Sequence, residues 1–266
     1  ARFVLEKMCR KDDRLLHSWR AGEAKIDGFL DDYANMANAL VTLYESSFEE
    51  YWIDQAVRLG EIIMEQFHDP EDGGFFYTAN DHETLIARNK EIFDNATPSS
   101  SAMAAMALLR LGTLCGNVGF QEAAEEVLRQ GTGVMQRSAI GGAQLLNVLD
   151  MKLGPTPEIV ILGDRDNTET AGLLQDLRQC FLPNRVIACT ASADDVQSVN
   201  LKEVFAGKHQ QEKPKYMFGF RGRMDERSDF IRTVTDGRYH YIRNYNPHFI
   251  YGQYVSYNFV TKSTAA

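Results

Sequence analysis

Residues 28–34 read Gly28-Phe29-Leu30-Asp31-Asp32-Tyr33-Ala34, and together with the residues that follow they decide the fold of the N-terminal part. Apolar side chains then recur with helical spacing, at Met36, Ala37, Leu40, Leu43 and Tyr44. Asp31 is the expected N-cap of this helix, because its carboxylate can accept the unpaired N–H groups of the first turn. Asp32 then points elsewhere and is the better candidate for a polar cavity.

The same spacing predicts helices across the first 152 residues. Besides the helix that starts near Asp31, helices are predicted at about 2–10, 50–67, 99–115, 120–136 and 141–152. A Pro- and Gly-containing stretch at 69–74 stops the helix at 50–67, and a short strand is predicted at 75–78. The helices are expected to pair as three hairpins.

Residues 158–190 have a different pattern. The apolar run at 158–164 suits a strand that is buried on both faces. A helix at 170–181 and a second strand at 185–189 follow. This is the pattern of one βαβ unit with parallel strands and a right-handed crossover.

The composition changes near Gly207. Residues 1–205 carry a net charge of −14, whereas residues 206–266 carry +5. Apolar residues alternate after Lys215, and Asp236-Gly237 is a strong turn signal. The sequence therefore predicts an α+β protein with a helical segment at 1–152, a βαβ unit at 153–205 and an antiparallel β-hairpin module at 206–266. The junction fits a natural fusion or an assembly artefact.

The bulk composition narrows the class of protein. The net charge of −9 argues against nucleic-acid binding. The sequence contains no run of about 18 apolar residues, which a membrane-spanning helix would need. Four scattered cysteines suit reduced, mostly buried thiols rather than disulfides or a zinc site. We therefore expect a cytoplasmic protein with neither metal nor cofactor.

The first 205 residues resemble the YyaL / spermatogenesis-associated thioredoxin-domain family. The motifs that carry the resemblance are Ser18-Trp19-Arg20, the stretch at 28–34, Asp72-Gly73-Gly74-Phe75-Phe76, Arg88-Asn89-Lys90, the stretches at 94–99 and 160–164, and Leu182-Pro183-Asn184-Arg185-Val186. The resemblance implies a thioredoxin-type domain followed by an (α/α)6 toroid of the six-hairpin glycosidase kind. This chain is expected to hold about half of the toroid and to lack the thioredoxin-like domain.

The resemblance also implies that the working residues lie on loops at one mouth of the toroid. The candidate catalytic residues there are Asp32 and Asp94, which could divide acid and base roles if their environments separate their pKa values. The candidate substrate-binding residues are Arg20, Tyr33, Arg88, Lys90 and Asn95. A purely structural alternative remains open, because Asp94-Asn95 also suits a turn. His17 and His82 would form a two-histidine arrangement only if they faced each other.

The tail resembles the C-terminal subdomain of arylsulfatase-type bacterial sulfatases, at 206–210, 221–227 and 241–245. The resemblance implies an anion-binding role for Arg221, Arg223, Arg227 and Arg243, although alternating arginines also suit a solvated strand face. That family oxidises a Cys or Ser in C/S-x-P-x-R to formylglycine and binds calcium. The stretch at 180–185 has one residue too many for this motif, so we expect no sulfatase activity from this chain alone.

These observations favour a carbohydrate-metabolising or carbohydrate-binding domain that is not catalytically complete alone. Any activity would be of the glycosidase or epimerase kind, by resemblance of fold. The alternatives are a sulfatase-related fragment and a noncatalytic interaction module. Half a toroid leaves two flanks uncovered, so self-association through those flanks is also expected.

Overall fold

The computed structural model describes residues 1–82, 87–154 and 156–205, and the backbone of three C-terminal strands at 217–224, 227–235 and 240–244. Within residues 1–205 the side chain of Glu203 is also outside this description. The chain divides into two compact units, Ala1–His209 and Gln210–Ala266, and each is described by itself.

The first unit begins with a short helix and a β-hairpin, continues with five helices and ends with a small parallel sheet. In chain order its elements are α1 (Arg2–Lys7), β1 (Leu16–Arg20), β2 (Glu23–Asp27), α2 (Leu30–Ser47), α3 (Glu50–Gln66), α4 (Ser100–Cys115), α5 (Val118–Arg137), α6 (Ala143–Leu153), β3 (Glu158–Leu162), α7 (Thr168–Gln179), β4 (Val186–Thr190), a 3₁₀ turn (Ala193–Asp195) and α8 (Lys202–Phe205).

The long helices pair through short connections. Helices α2 and α3 form one hairpin, α4 and α5 form a second, and α2 also packs against α4. Helix α6 packs against α4 and α5. Of the three helix hairpins expected, these two are present in the described residues, and α1 is followed by the antiparallel pair β1–β2. The predicted mixture of helices and strands is confirmed.

The core lies between the helix hairpins. Its largest fully buried side chains include Tyr33, Tyr44, Phe67, Phe75, Leu108 and Leu111. Phe75 was expected in a strand, but the structure gives it a single bridge to His68 instead. Phe75 is therefore held in place by the burial of its side chain, and it is not part of a strand.

The small α/β part shares this core. Strands β3 and β4 are parallel, as predicted, with Glu158 opposite Val186 and Leu162 opposite Thr190. Strand β4 is buried and contacts α2 and α4. Strand β3 was expected to be buried on both faces, and this is wrong, because Val160 is 43% and Leu162 59% exposed. Two strands leave one face of β3 uncovered.

The second unit contains an antiparallel sheet with strand order β5 (Met217–Met224), β6 (Arg227–Thr235) and β7 (His240–Asn244). The predicted antiparallel pairing is confirmed, with Phe218 opposite Val234 and Thr233 opposite Ile242. The predicted turn at Asp236-Gly237 lies outside the described residues.

No helix in the described part of the chain combines enough length and hydropathy to cross a membrane. Within those same residues no group of three or more His, Cys, Asp or Glu is arranged to hold a metal ion. The four cysteines are free thiols. Cys189 is buried, Cys9 and Cys115 are half-buried and Cys180 is exposed, so the thiols are less buried as a set than expected.

Candidate functional site

The starts of α2, α4 and α6 are joined by hydrogen bonds through the loop that connects α3 to α4. The N–H of Leu30, at the start of α2, donates to the carbonyl oxygen of Tyr77 at 3.0 Å. The N–H of Ser101, at the start of α4, donates to the carbonyl oxygen of Glu91 at 3.3 Å. We call this surface the rim: residues 29–32, Tyr77, residues 89–95 and residues 140–144.

Asp94 connects α4 to α6. One carboxylate oxygen accepts the N–H of Ser99 at 2.8 Å, and the other accepts the N–H of Gln144 at 2.7 Å. The N–H of Asp94 donates to the carbonyl oxygen of Gly141 at 2.8 Å. Both oxygens of this candidate catalytic residue therefore serve unpaired N–H groups at helix starts.

Asp32 closes the first turn of α2. Its carboxylate accepts the N–H of Phe29 at 2.9 Å, so Phe29 is the N-cap residue and Asp32 lies three positions further on. The prediction that Asp31 is the N-cap is wrong. Nδ1 of His17, from strand β1, lies 2.9 Å from Oδ2 of Asp32. The β1–β2 hairpin thus brings a histidine to this helix start.

Asp31 and Asp32 line a cavity of about 340 Å³ next to α2. Its other lining residues are His17, Asn35 and a mainly apolar set made of Val4, Met8, Leu15, Leu16, Met36 and Ala39. Burial raises the pKa of Asp31, and the negative charge of Asp32 raises it further. Asp31 is therefore the carboxyl group of the pair that takes up a proton more readily than an exposed aspartate.

Phe29 and Tyr77 form an aromatic pair at the centre of the rim. Their rings are stacked, with centroids 5.0 Å apart. The rings of His17 and His82 both approach Phe29 edge-on, at 5.3 and 5.4 Å. Burial first, and then the charge of Asp31, raises the pKa of Tyr77 to about 12. Tyr77 therefore stays protonated and can act as a hydrogen-bond donor at neutral pH.

Arg88 holds the rim segment to the end of α3. Its guanidinium donates to Asn80 Oδ1 at 2.7 Å and to the carbonyl oxygens of Gln66 and Thr78. It also lies 4.0 Å from the centre of the Phe76 ring. Gln66 is the last residue of α3, where a cation is favoured by the helix dipole.

Lys90 is held in a similar way by the loop that follows α3. Its Nζ lies 2.6 Å from Oδ2 of Asp69 and donates to the carbonyl oxygen of Gly73, also at 2.6 Å. Arg88, Lys90 and Asp69 line a second cavity of about 590 Å³, together with Pro70, Glu71, Asp72 and Phe76. The cavity at Asp32 and the cavity at Arg88 and Lys90 have no lining residue in common.

The segment at 87–95 alternates in exposure. Arg88, Lys90, Ile92 and Asp94 are partly buried, whereas Asn89, Glu91, Phe93 and Asn95 are exposed. This alternation places successive side chains on opposite sides of the segment. The residues selected from the sequence therefore lie mostly on the protein-facing side, and the rim presents Asn89, Glu91 and Phe93 to solvent.

The remaining candidates lie elsewhere. Tyr33 has no exposed surface, and its hydroxyl accepts the N–H of Leu15 at 2.8 Å. Arg20 is exposed at the end of β1, opposite Glu23. Asn95 is exposed in the turn before α4, where its N–H donates to the carbonyl oxygen of Thr97. The C-terminal arginines lie in strands, Arg221 and Arg223 in β5, Arg227 in β6 and Arg243 in β7, and their side chains are outside the described residues.

Glu91 and Tyr77 are not among the site residues predicted from the sequence. The signal that could have found Glu91 is the alternation at 87–95, but both sides of that segment carry polar residues, so no apolar pattern marks the buried side. Tyr77 was assigned to a strand, and its role depends on its contact with Leu30, which is 47 residues away in sequence.

The ion pair between Lys90 and Asp69 should make the unfolding free energy of the protein depend on pH in the acid range. The hydrogen bond from Lys90 lowers the pKa of Asp69 from 3.8 to about 2. A depressed pKa contributes stability above pH 3.8, and this contribution is lost as the pH falls towards 2. We expect Asp69→Asn to weaken the dependence of the unfolding free energy on pH between about 4 and 2, measured by urea unfolding.

Asp72→Asn is the matched control, because Asp72 lies on the same loop with an exposed side chain. Its pH dependence should follow that of the unmodified protein. If Asp69→Asn also follows the unmodified protein over this range, the role given to the Lys90 ion pair is wrong.

Several known proteins are similar to the chain, although no protein-family model matches it. The chain is 33% identical over 161 residues to spermatogenesis-associated protein 20 of Rattus norvegicus. The matched stretch covers 60% of this chain and 20% of that protein. The Homo sapiens protein of the same name is 32% identical over the same length, with the same coverage. An uncharacterized Caenorhabditis elegans protein is 26% identical over 178 residues, covering 66% of this chain and 24% of its own.

The chain thus spans about a fifth of the length of spermatogenesis-associated protein 20. This similarity agrees with the motifs of the N-terminal 205 residues, which resemble the thioredoxin-domain family of that name. Over 60% of its length, the chain is homologous to spermatogenesis-associated protein 20.

Proposed function

We propose that the rim binds a carbohydrate. The observation that carries this proposal is the grouping of Asp31 and Glu91 around the aromatic pair Phe29–Tyr77, at one end of the helix hairpins. The negative charges of Asp31 and Glu91 both contribute to the raised pKa of the Tyr77 hydroxyl. The stacked rings of Phe29 and Tyr77 and the hydrogen bond from Leu30 N–H to the Tyr77 carbonyl oxygen hold Tyr77 against the start of α2, next to Asp31. The resemblance to six-hairpin glycosidases supports this proposal, because it implies that the working residues lie on loops at one end of the helices, and the rim is made of such loops.

The chemistry of these groups suits hydroxyl-rich ligands. Carboxylates accept hydrogen bonds from sugar hydroxyls, a protonated tyrosine donates one, and an aromatic face packs against the C–H groups of a sugar ring. Arg88 and Lys90 are engaged by the loop and by the end of α3. The rim is therefore acidic, and a neutral sugar fits it better than a sugar acid or a sugar phosphate.

Any acid–base step would use Asp31 rather than Asp94. The pKa of Asp31 is raised by burial and by Asp32, which favours proton donation, whereas both oxygens of Asp94 accept N–H groups. Glu91 is the second carboxylate that can reach a ligand beside Tyr77. A catalytic role requires these two groups to act on one sugar bond, so it goes a step beyond binding.

The test of binding is a Tyr77→Phe variant. Glucose, galactose, mannose and N-acetylglucosamine, with their di- and trisaccharides, would be titrated into the chain by calorimetry. We expect one of these sugars to bind, and Tyr77→Phe to weaken that binding roughly twofold to tenfold, because one hydrogen bond is lost.

Tyr51→Phe is the control, since Tyr51 is 46% exposed on α3 and its hydroxyl can be removed at little cost. Binding that is equally weakened in both variants, or no binding at all, would overturn the proposal. The second outcome would favour a noncatalytic interaction module.

Self-association, a cytoplasmic location and a sulfatase-related tail stay predictions.

A further inference from the structure

The rim carries large apolar side chains in open solvent beside its polar centre. Phe93 is 59% exposed and Ile140 is 89% exposed. Phe93 follows Glu91 by two residues, on the same exposed side of the segment at 87–95. Ile140 precedes Gly141, whose carbonyl oxygen accepts the N–H of Asp94. Phe93 and Ile140 therefore give the rim exposed apolar surface next to its polar groups.

The backbone around Phe93 is fixed on both sides. Ile92 packs against the core on one side, and Asp94 is bonded to Gly141, Ser99 and Gln144 on the other. A Cβ atom on Gly141 would lie 3.1 Å from the Phe93 ring, so the glycine leaves room for the ring to lie against this turn. The ring is therefore presented from a rigid support.

The exposed side of the segment alternates polar and aromatic groups in the order Asn89, Glu91, Phe93. Four residues of chain span at most about 13 Å when fully extended. A ligand that contacts both ends of a stretch of that length is longer than one sugar ring. A monosaccharide bound at Tyr77 and Glu91 would leave Phe93 uncovered, whereas a longer saccharide could reach it.

We infer that the rim binds an oligosaccharide rather than a single sugar, with Phe93 as the aromatic platform for the sugar unit next to the one at Tyr77. This inference rests on the proposed carbohydrate function and assigns the chain length of the ligand. Asn89 precedes Glu91 by two residues, in the direction away from Phe93. Its side chain would contact hydroxyl groups of the sugar unit at Tyr77. The platform needs no charge, which suits a neutral saccharide.

The experiment compares mono- and trisaccharides of the sugar that binds best, by calorimetric titration of the full chain. We expect the trisaccharide to bind more tightly than the monosaccharide. Phe93→Ala should weaken trisaccharide binding about threefold to tenfold and change monosaccharide binding less than about twofold. Phe93→Tyr should keep the affinity for the trisaccharide, because the ring remains.

Phe181→Ala is the matched control, because Phe181 is 91% exposed and lies after α7, outside the rim. Urea midpoints of all variants would show whether they fold as the unmodified chain does. If Phe93→Ala leaves trisaccharide binding unchanged, or weakens both ligands equally, the platform is overturned while the carbohydrate proposal stands. If no saccharide binds, both fail together.

Discussion

Asp94→Ala is expected to destabilise the first unit by about 2–4 kcal/mol, the largest effect of any single rim substitution considered. The carboxylate accepts N–H groups at the starts of two helices, Ser99 N–H for α4 and Gln144 N–H for α6. Removing one such acceptor costs about 1 kcal/mol and up to about 2. Because both helix starts lose their acceptor together, the two costs should combine.

The measurement is the urea midpoint at neutral pH, with circular dichroism as the readout. Asn95→Ala is the control, since Asn95 is the exposed neighbour and its side chain should contribute less than about 0.5 kcal/mol. Asp94→Asn should recover part of the loss, because an amide oxygen can still accept one N–H group. A midpoint for Asp94→Ala equal to that of Asn95→Ala would contradict the connection between α4 and α6.

Tyr33→Phe is expected to cost about 1–3 kcal/mol, although it removes a single oxygen atom. The Tyr33 hydroxyl is the acceptor for the buried N–H of Leu15 and for Nε of Arg14, which lies 3.1 Å away. Arg14 is itself only 6% exposed and pairs with Asp81 at 2.9 Å. Phenylalanine would fill the same space and leave both donors without their acceptor.

The comparison with Tyr51→Phe separates this effect from a general cost of losing a hydroxyl group. Tyr51 is 46% exposed, so its variant should unfold at the same urea concentration as the unmodified chain. Equal midpoints for the two tyrosine variants would show that water replaces the missing acceptor at Leu15, and the role given to Tyr33 would then be wrong.

The helices could be predicted because their apolar residues keep a helical period over three or more turns. Helix α3 was predicted at about 50–67 and lies at Glu50–Gln66, and α4 was predicted at about 99–115 and lies at Ser100–Cys115. The β1–β2 hairpin was missed because most of its residues are exposed, so no apolar alternation marks it. Its turn at Ala21-Gly22 carries positive φ at both residues, which a single glycine does not reveal.

The rim could be predicted only in part. The resemblance selected residues of the loop between α3 and α4, which contributes to the rim, but Arg88, Lys90 and Asp94 lie on its protein-facing side and Glu91 lies on the exposed side. Long cationic side chains are usually solvated, so sequence alone favours an outward position for them. Here the Phe76 ring and the carbonyl group of Gln66, at the end of α3, hold Arg88 inward, and these partners are 12 and 22 residues away in sequence.

The burial of strand β4 against α2 and α4 has a consequence for the order of folding. A sheet of two strands is not stable by itself in water, so the pairing of β3 with β4 depends on an apolar surface that the helices supply. Those helices precede both strands in the chain. During synthesis from the N-terminus, the surface would therefore exist before the ribosome has released the strands that need it.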